Sequence, residues 1–323
     1  NEITGFFGLV ALVLGGILLD YFEKKGVIEF AGFNLNLVIA GFLILFLLAF
    51  IFRMISLRML RKQYEPIIKI RKKDHMSLRG FIVNLLVTPF GRFTGFSSIL
   101  RIAVSIGSPF IAVYMLSKQG LGLPYLWFMI ITVSGVLYHL LFYKGLGRIA
   151  DKFGNISLIR VCSILLAITP LLWILSIYIT GGFMWTILYL IFVPQLIAGF
   201  GWAGFTLAST NYIYDSLNQE KQGFGVAYFN LFNGIGMFIG AGLGSLLALA
   251  NIVIFGSSLL FIFLVSGIVG LIVALSLTKY LREVRHVKNF KYQFIIQEFH
   301  PTYGLVREMH KFDHFRSKVL HYL

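Results

Sequence analysis

Eight apolar stretches, near residues 5–22, 36–57, 94–116, 124–144, 158–179, 184–209, 224–249 and 254–278, are each long enough to cross a lipid bilayer. A spanning helix needs about 20 mainly apolar residues. Backbone amides left unpaired in hydrocarbon are so costly that runs of this length must be helices or barrel strands. Barrel strands alternate apolar and polar residues over about ten positions, and these runs do not alternate. The shortest, 5–22, has about 15 apolar residues before Asp20.

Composition excludes the other classes. The 323 residues are 58% hydrophobic and only 13% charged, against about 45–50% and about 25% in a soluble domain. With 33 Phe and a single Cys, the chain is neither disordered nor a disulfide scaffold. Cys162 lies inside an apolar run and reads as a small core residue. The first residue is Asn, apolar sequence follows at once, and no basic n-region or cleavage site is visible. Residue 1 therefore reads as an internal point of a longer protein rather than the start of a signal peptide.

The charge is +15, and its distribution predicts sidedness. Segment 53–93, loop 144–160, loop 211–223 and the tail from Lys279 hold 24 of the 28 Lys and Arg. These are alternate connections. The opposite ones hold only Lys24, Lys25 and Lys118. The bias places the basic loops and both termini in the cytoplasm of a multi-pass protein of the cell membrane. The basic segments read as lying on anionic lipid rather than binding nucleic acid.

Segment 53–93 divides the spans as two plus six. The expected organisation is a pair of helices (1–58), a basic amphipathic linker (59–93), a six-helix block (94–278) and a basic amphipathic tail (279–323). Linker and tail resemble each other, Phe81-Ile-Val-Asn-Leu-Leu-Val-Thr-Pro-Phe-Gly91 against Phe294-Ile-Ile-Gln-Glu-Phe-His-Pro-Thr-Tyr-Gly304. The first and seventh spans open similarly, Gly5-Phe-Phe-Gly-Leu-Val-Ala11 against Gly223-Phe-Gly-Val-Ala227. Together they suggest a parallel repeat offset by about 215 residues, with roughly 120 residues, about four helices, missing from the first copy.

Loop 144–160 contains Gly147-Arg-Ile-Ala-Asp151-Lys-Phe-Gly154. It resembles the signature between the second and third helices of each half in major facilitator superfamily transporters. Gly147, Asp151, Lys152 and Gly154 match, whereas Asn155, Ile156 and Ser157 depart from the basic pair common there. Ser108-Pro-Phe-Ile-Ala-Val-Tyr-Met115 resembles the first helix of the second half, and Ala198-Gly-Phe-Gly-Trp-Ala-Gly-Phe-Thr206 through Asn211 the fourth. The resemblance implies an all-α membrane bundle of eight transmembrane helices, the last two of an N-terminal half plus a complete C-terminal half. It also implies that the signature helps close the cytoplasmic side, with Asp151 directed at the fifth helix of the other half, here starting at residues 3–6. Glycine permits a tight turn between antiparallel helices, and Asp151 just before the next helix could face that helix's N-terminal dipole.

Polar residues inside the spans are the candidates for a substrate cavity. Arg101 is the one charge well inside a span. It needs a cavity or a partner, and marks an anionic substrate group or snorkels to the interface. His139 has Tyr138 and Tyr143 nearby, and is either a satisfied buried imidazole or a proton-responsive contact. Gln195, Trp202, Thr206, Asn230 and Asn233 add polar or amphipathic surface to the sixth and seventh spans, helices that border the central cavity in the resembling family, although Asn and Gln also bond neighbouring helices structurally. Gly236, Gly240 and Gly244 form a small-residue ridge for close packing. Asp20 and Asp215 border spans and are expected to face water. His310 and His314 read as a solvated face rather than a metal site, and no cofactor is expected.

The expectation is a secondary transporter moving a small solute by alternating access. Aromatic-rich, charge-poor spans weakly favour efflux of amphipathic compounds. Its partners would be the bilayer, the solute and the missing N-terminal helices. The alternative is a non-transporting protein of the same fold, such as a pigment, lipid or assembly factor. An intramembrane enzyme is disfavoured because the spans hold no carboxylate pair, nucleophile–base pair or metal cluster.

Overall fold

The computed structural model describes residues 2–25, 27–30, 33–63, 76–250, 252–254, 256–285 and 287. Helix α1 (Glu2–Lys25) leads through a short antiparallel hairpin, β1 (Val27–Phe30) and β2 (Phe33–Asn36), into α2 (Leu37–Leu60). A short helix α3 (Leu78–Val83) precedes α4 (Pro89–Leu116), α5 (Tyr125–Phe153) and α6 (Asn155–Ile174). Then follow α7 (Phe183–Leu190), α8 (Leu196–Ser216), α9 (Gln219–Leu249) and α10 (Ser258–Leu277). The protein is an all-α membrane bundle. Among the described residues seven segments are long and apolar enough to span. Helix α1, at 24 residues, is also long enough.

Two span boundaries move. The stretch read as one span from 184 is α7 and α8 joined by a π-helical segment, Ile191–Gln195, around Pro194. Proline cannot donate to the helical ladder, and a π-bulge re-registers it. The stretch read as loop 144–160 is mostly helix. α5 continues through Phe153, and only Gly154, at φ 89°, makes the turn into α6.

Side-chain caps set the starts of α4 and α3. The Thr88 side chain accepts from the Gly91 amide at 3.0 Å with Pro89 following, and Ser77 accepts from Gly80 at 3.1 Å. Linker helix α3 is docked on the bundle. Phe81 is buried, stacks on Tyr228 at 5.1 Å, and the Tyr228 hydroxyl donates to the Met76 carbonyl.

Packing runs in the order α9, α4, α10, α6, α8, α5, α1, α2. Without a hydrophobic drive between helices in lipid, close approach depends on small residues. The ridge read on α9 supplies it. A Cβ on Gly236, Gly240 or Gly244 would run into the carbonyls of Ser98, Ile102 and Ile106, successive turns of α4. Between α6 and α8, Gly204 accommodates Cys162, which is buried and unpaired. Ser266 of α10 donates to the Ala103 carbonyl of α4 at 2.8 Å. The core has two layers, one around Phe93, Leu158 and Tyr212 near the basic end and one around Tyr114, Trp173 and Phe263 near the other.

Candidate functional site

Two places gather the polar residues: mid-depth between α4, α8 and α9, and the basic end where α5 turns into α6.

At mid-depth Arg101 (α4) lays its guanidinium over the Trp202 ring (α8), with Cζ 4.4 Å from the centroid. A desolvated cation–π pair of this kind is worth up to about 2 kcal/mol. Ser97, one turn earlier, donates to Asn233 Oδ1 at 2.8 Å, and Asn233 Nδ2 donates to the Phe229 carbonyl at 2.8 Å. Ser98 donates to the Phe232 carbonyl at 2.8 Å. Ser97, Arg101 and Trp202 border a cavity of about 10 Å³, with Leu166 and Phe205 among its walls. Thus Arg101, Trp202 and, through Ser97, Asn233 come together.

The other candidates lie elsewhere. The Gln195 carboxamide rests where a Cβ on Gly135 of α5 would be, and Gly199 leans on Tyr138 and the Gly135 carbonyl, so the α5–α8 seam is closely packed. His139, on the same seam, faces Tyr143 at 5.7 Å between ring centroids. Asn230 is exposed on α9, and so is Thr206 on α8.

At the basic end Gly147 lies within α5, where a Cβ would make ordinary contact with Leu207 of α8. Asp151 and Lys152 are exposed on the last turn, and Lys152 Nζ lies 5.4 Å from the Phe153 centroid. The acid at the α6 N-terminus is not Asp151 but Glu283, whose Oε2 accepts from the Ile156 amide at 2.9 Å. A carboxylate there satisfies an orphan donor and complements the dipole. Gly154 is required twice over, by its positive φ and because a Cβ would strike the Glu283 carboxylate.

Asp215, expected to face water, is instead tied in. It accepts from Asn155 Nδ2 at 2.8 Å and lies 3.3 Å from Arg285 Nε. Arg285 also donates to the Ala150 carbonyl at 3.3 Å, and the Tyr212 hydroxyl donates to the Arg282 carbonyl at 3.0 Å. Residues 281–285 are therefore a strap across the ends of α5, α6 and α8, not free tail. The sequence pattern missed Glu283 and Arg285 because both lie about 130 positions beyond the turn they serve. Asn155 was visible, but only as a departure from the signature. The side chains of residues 3–6, expected near Asp151, the repeat at 294–304, and His310 and His314 lie outside the described residues.

These features define a multi-pass helical membrane protein with its polar groups at mid-depth and at one charged end. The family model of the Major Facilitator Superfamily matches residues 3–241 and 146–295. The chain belongs to this superfamily of membrane transporters. No curated protein and no solved structure matches the chain.

Proposed function

We propose that the protein moves a small solute across the cell membrane by alternating access, with the six-helix block 94–278 acting as one rocking half and α1–α2 belonging to the other. The overlap of the two family matches supports an internally repeated plan, and α1 packs against α5, as neighbouring halves would. The lysine and arginine bias puts the basic end, and with it both ends of the chain, in the cytoplasm.

The observation that carries the reading is Arg101 held over Trp202 within a spanning helix. A charge at that depth is costly unless it faces a cavity or a partner, and the Trp202 ring supplies part of that environment. Asn233 borders the site through Ser97, Gln195 and His139 line the α5–α8 seam, and Asn230 is exposed on α9. Gly147, Asp151, Lys152 and Gly154 form the gate that closes the cytoplasmic side. The solute class is amphipathic compounds moved outward, with an anionic group meeting Arg101.

A non-transporting role is the second reading. The cavity beside Arg101, about 10 Å³, has room for no more than about one water. Under the transport reading that is a closed state. Proteoliposomes loaded with carboxyfluorescein separate the two: protein-dependent release that is lost in Arg101→Ala supports transport, and release no faster than from protein-free liposomes rejects it for this solute class.

A further inference from the structure

Arg92 stands in the first turn of α4, which contains no acidic residue. A cation at a helix N-terminus adds to the positive end of the dipole instead of offsetting it. Its Nε is buried and has no hydrogen-bond partner. Among the described residues no carboxylate pairs with it, and the Glu283 carboxylate is engaged by the Ile156 and Val284 amides. Arg92 borders a cavity of about 450 Å³ that Leu85, Phe96, Ile99, Leu277 and Tyr280 also line. That volume falls within the range of about 300–1,000 Å³ usual for ligand sites.

The place explains the composition. The cavity lies where α4 begins and α10 ends, at the basic end of the bundle, and its apolar wall includes exposed Ile99 and Leu86. The ligand must therefore be anionic at one end and apolar at the other, and reachable from the bilayer. We propose that this cavity binds an anionic phospholipid, its phosphate on the Arg92 guanidinium and one acyl chain against Phe96, Ile99 and Leu277. A guanidinium presents a planar fork of donors that matches phosphate.

The test is native mass spectrometry and thermal unfolding of the detergent-purified protein titrated with dioleoyl phosphatidylglycerol, dioleoyl phosphatidylcholine or inorganic phosphate. The expected result is a single retained phosphatidylglycerol, favoured about tenfold over phosphatidylcholine, with matching thermal stabilisation and no response to phosphate. Arg92→Gln should abolish the preference. Ile99→Trp, which fills the cavity and leaves Arg92 in place, should block retention, so the test does not depend on Arg92→Gln folding. An unchanged preference in either variant, or equal binding of phosphatidylcholine, overturns the proposal. Stabilisation by phosphate alone overturns the lipid as its source.

Discussion

Glu283 Oε2 accepts the Ile156 amide at 2.9 Å, so a residue after the last described helix caps the first turn of α6 from 127 positions further along the chain. The bond crosses the basic end and fixes the turn at Gly154 against the strap. Because the acceptor is charged and the donor is an otherwise unpaired helix amide, its loss costs more than an ordinary surface contact. Glu283→Ala should lower stability by about 1–3 kcal/mol. Glu283→Gln, which keeps an acceptor, should lose less than half of that. Thermal unfolding in detergent reads both.

The α4–α9 contact separates two kinds of glycine on one helix. A Cβ at Gly240 would meet the Ile102 carbonyl, whereas Gly242 has nothing within 4 Å. Gly240→Ala should therefore destabilise by about 1–3 kcal/mol through overpacking. Gly242→Ala should be neutral or stabilise by up to about 1 kcal/mol, the helix preference of Ala over Gly. Equal effects at the two positions would contradict the packing described.

Ser97 and Asn233 form one buried unit. Asn233→Ala leaves the Ser97 hydroxyl without its acceptor, at a cost of about 1–3 kcal/mol. Ser97→Ala on top of it should add little, because the orphaned group is then removed. A double-mutant cycle on unfolding should show coupling of about 1 kcal/mol. Strict additivity would mean that the bond contributes nothing.

Arg101 and Trp202 are also expected to couple, in transport rather than in stability alone. Trp202→Phe keeps a ring face for the guanidinium and should retain part of the solute release, while Trp202→Ala and Arg101→Ala should each lose most of it. The double variant should be no worse than Arg101→Ala. Initial rates in proteoliposomes at matched protein content decide this.

The spans were legible because hydrocarbon leaves the backbone one economical choice, so an apolar run of sufficient length is a helix whatever its partners. The glycine ridge was legible too: Gly236, Gly240 and Gly244 recur every four residues, a spacing that lines small residues along one helix face for close approach. What periodicity hides is where a helix ends once its side chains turn polar. Arg148, Asp151 and Lys152 look like a loop, yet α5 runs on to Phe153 because charged side chains in water do not oppose helix. Partners distant in sequence were hidden too. Nothing around Asp215 announces Arg285, and nothing around Arg101 announces Trp202, since only the folded order of α4, α8 and α10 brings them together. The short hairpin at residues 27–36 carried no turn signal strong enough to separate it from an ordinary loop.

Alternating access is tested most directly by the solvent exposure of one position from both faces. In a Cys162→Ser background, a cysteine replacing Asn230 can be labelled with a membrane-impermeant maleimide applied to inside-out or right-side-out vesicles. The account predicts reaction from both faces, with the rates shifting in opposite directions when the Gly154 turn is disturbed by Gly154→Ala. Reaction from a single face under every condition, or from neither, would contradict it.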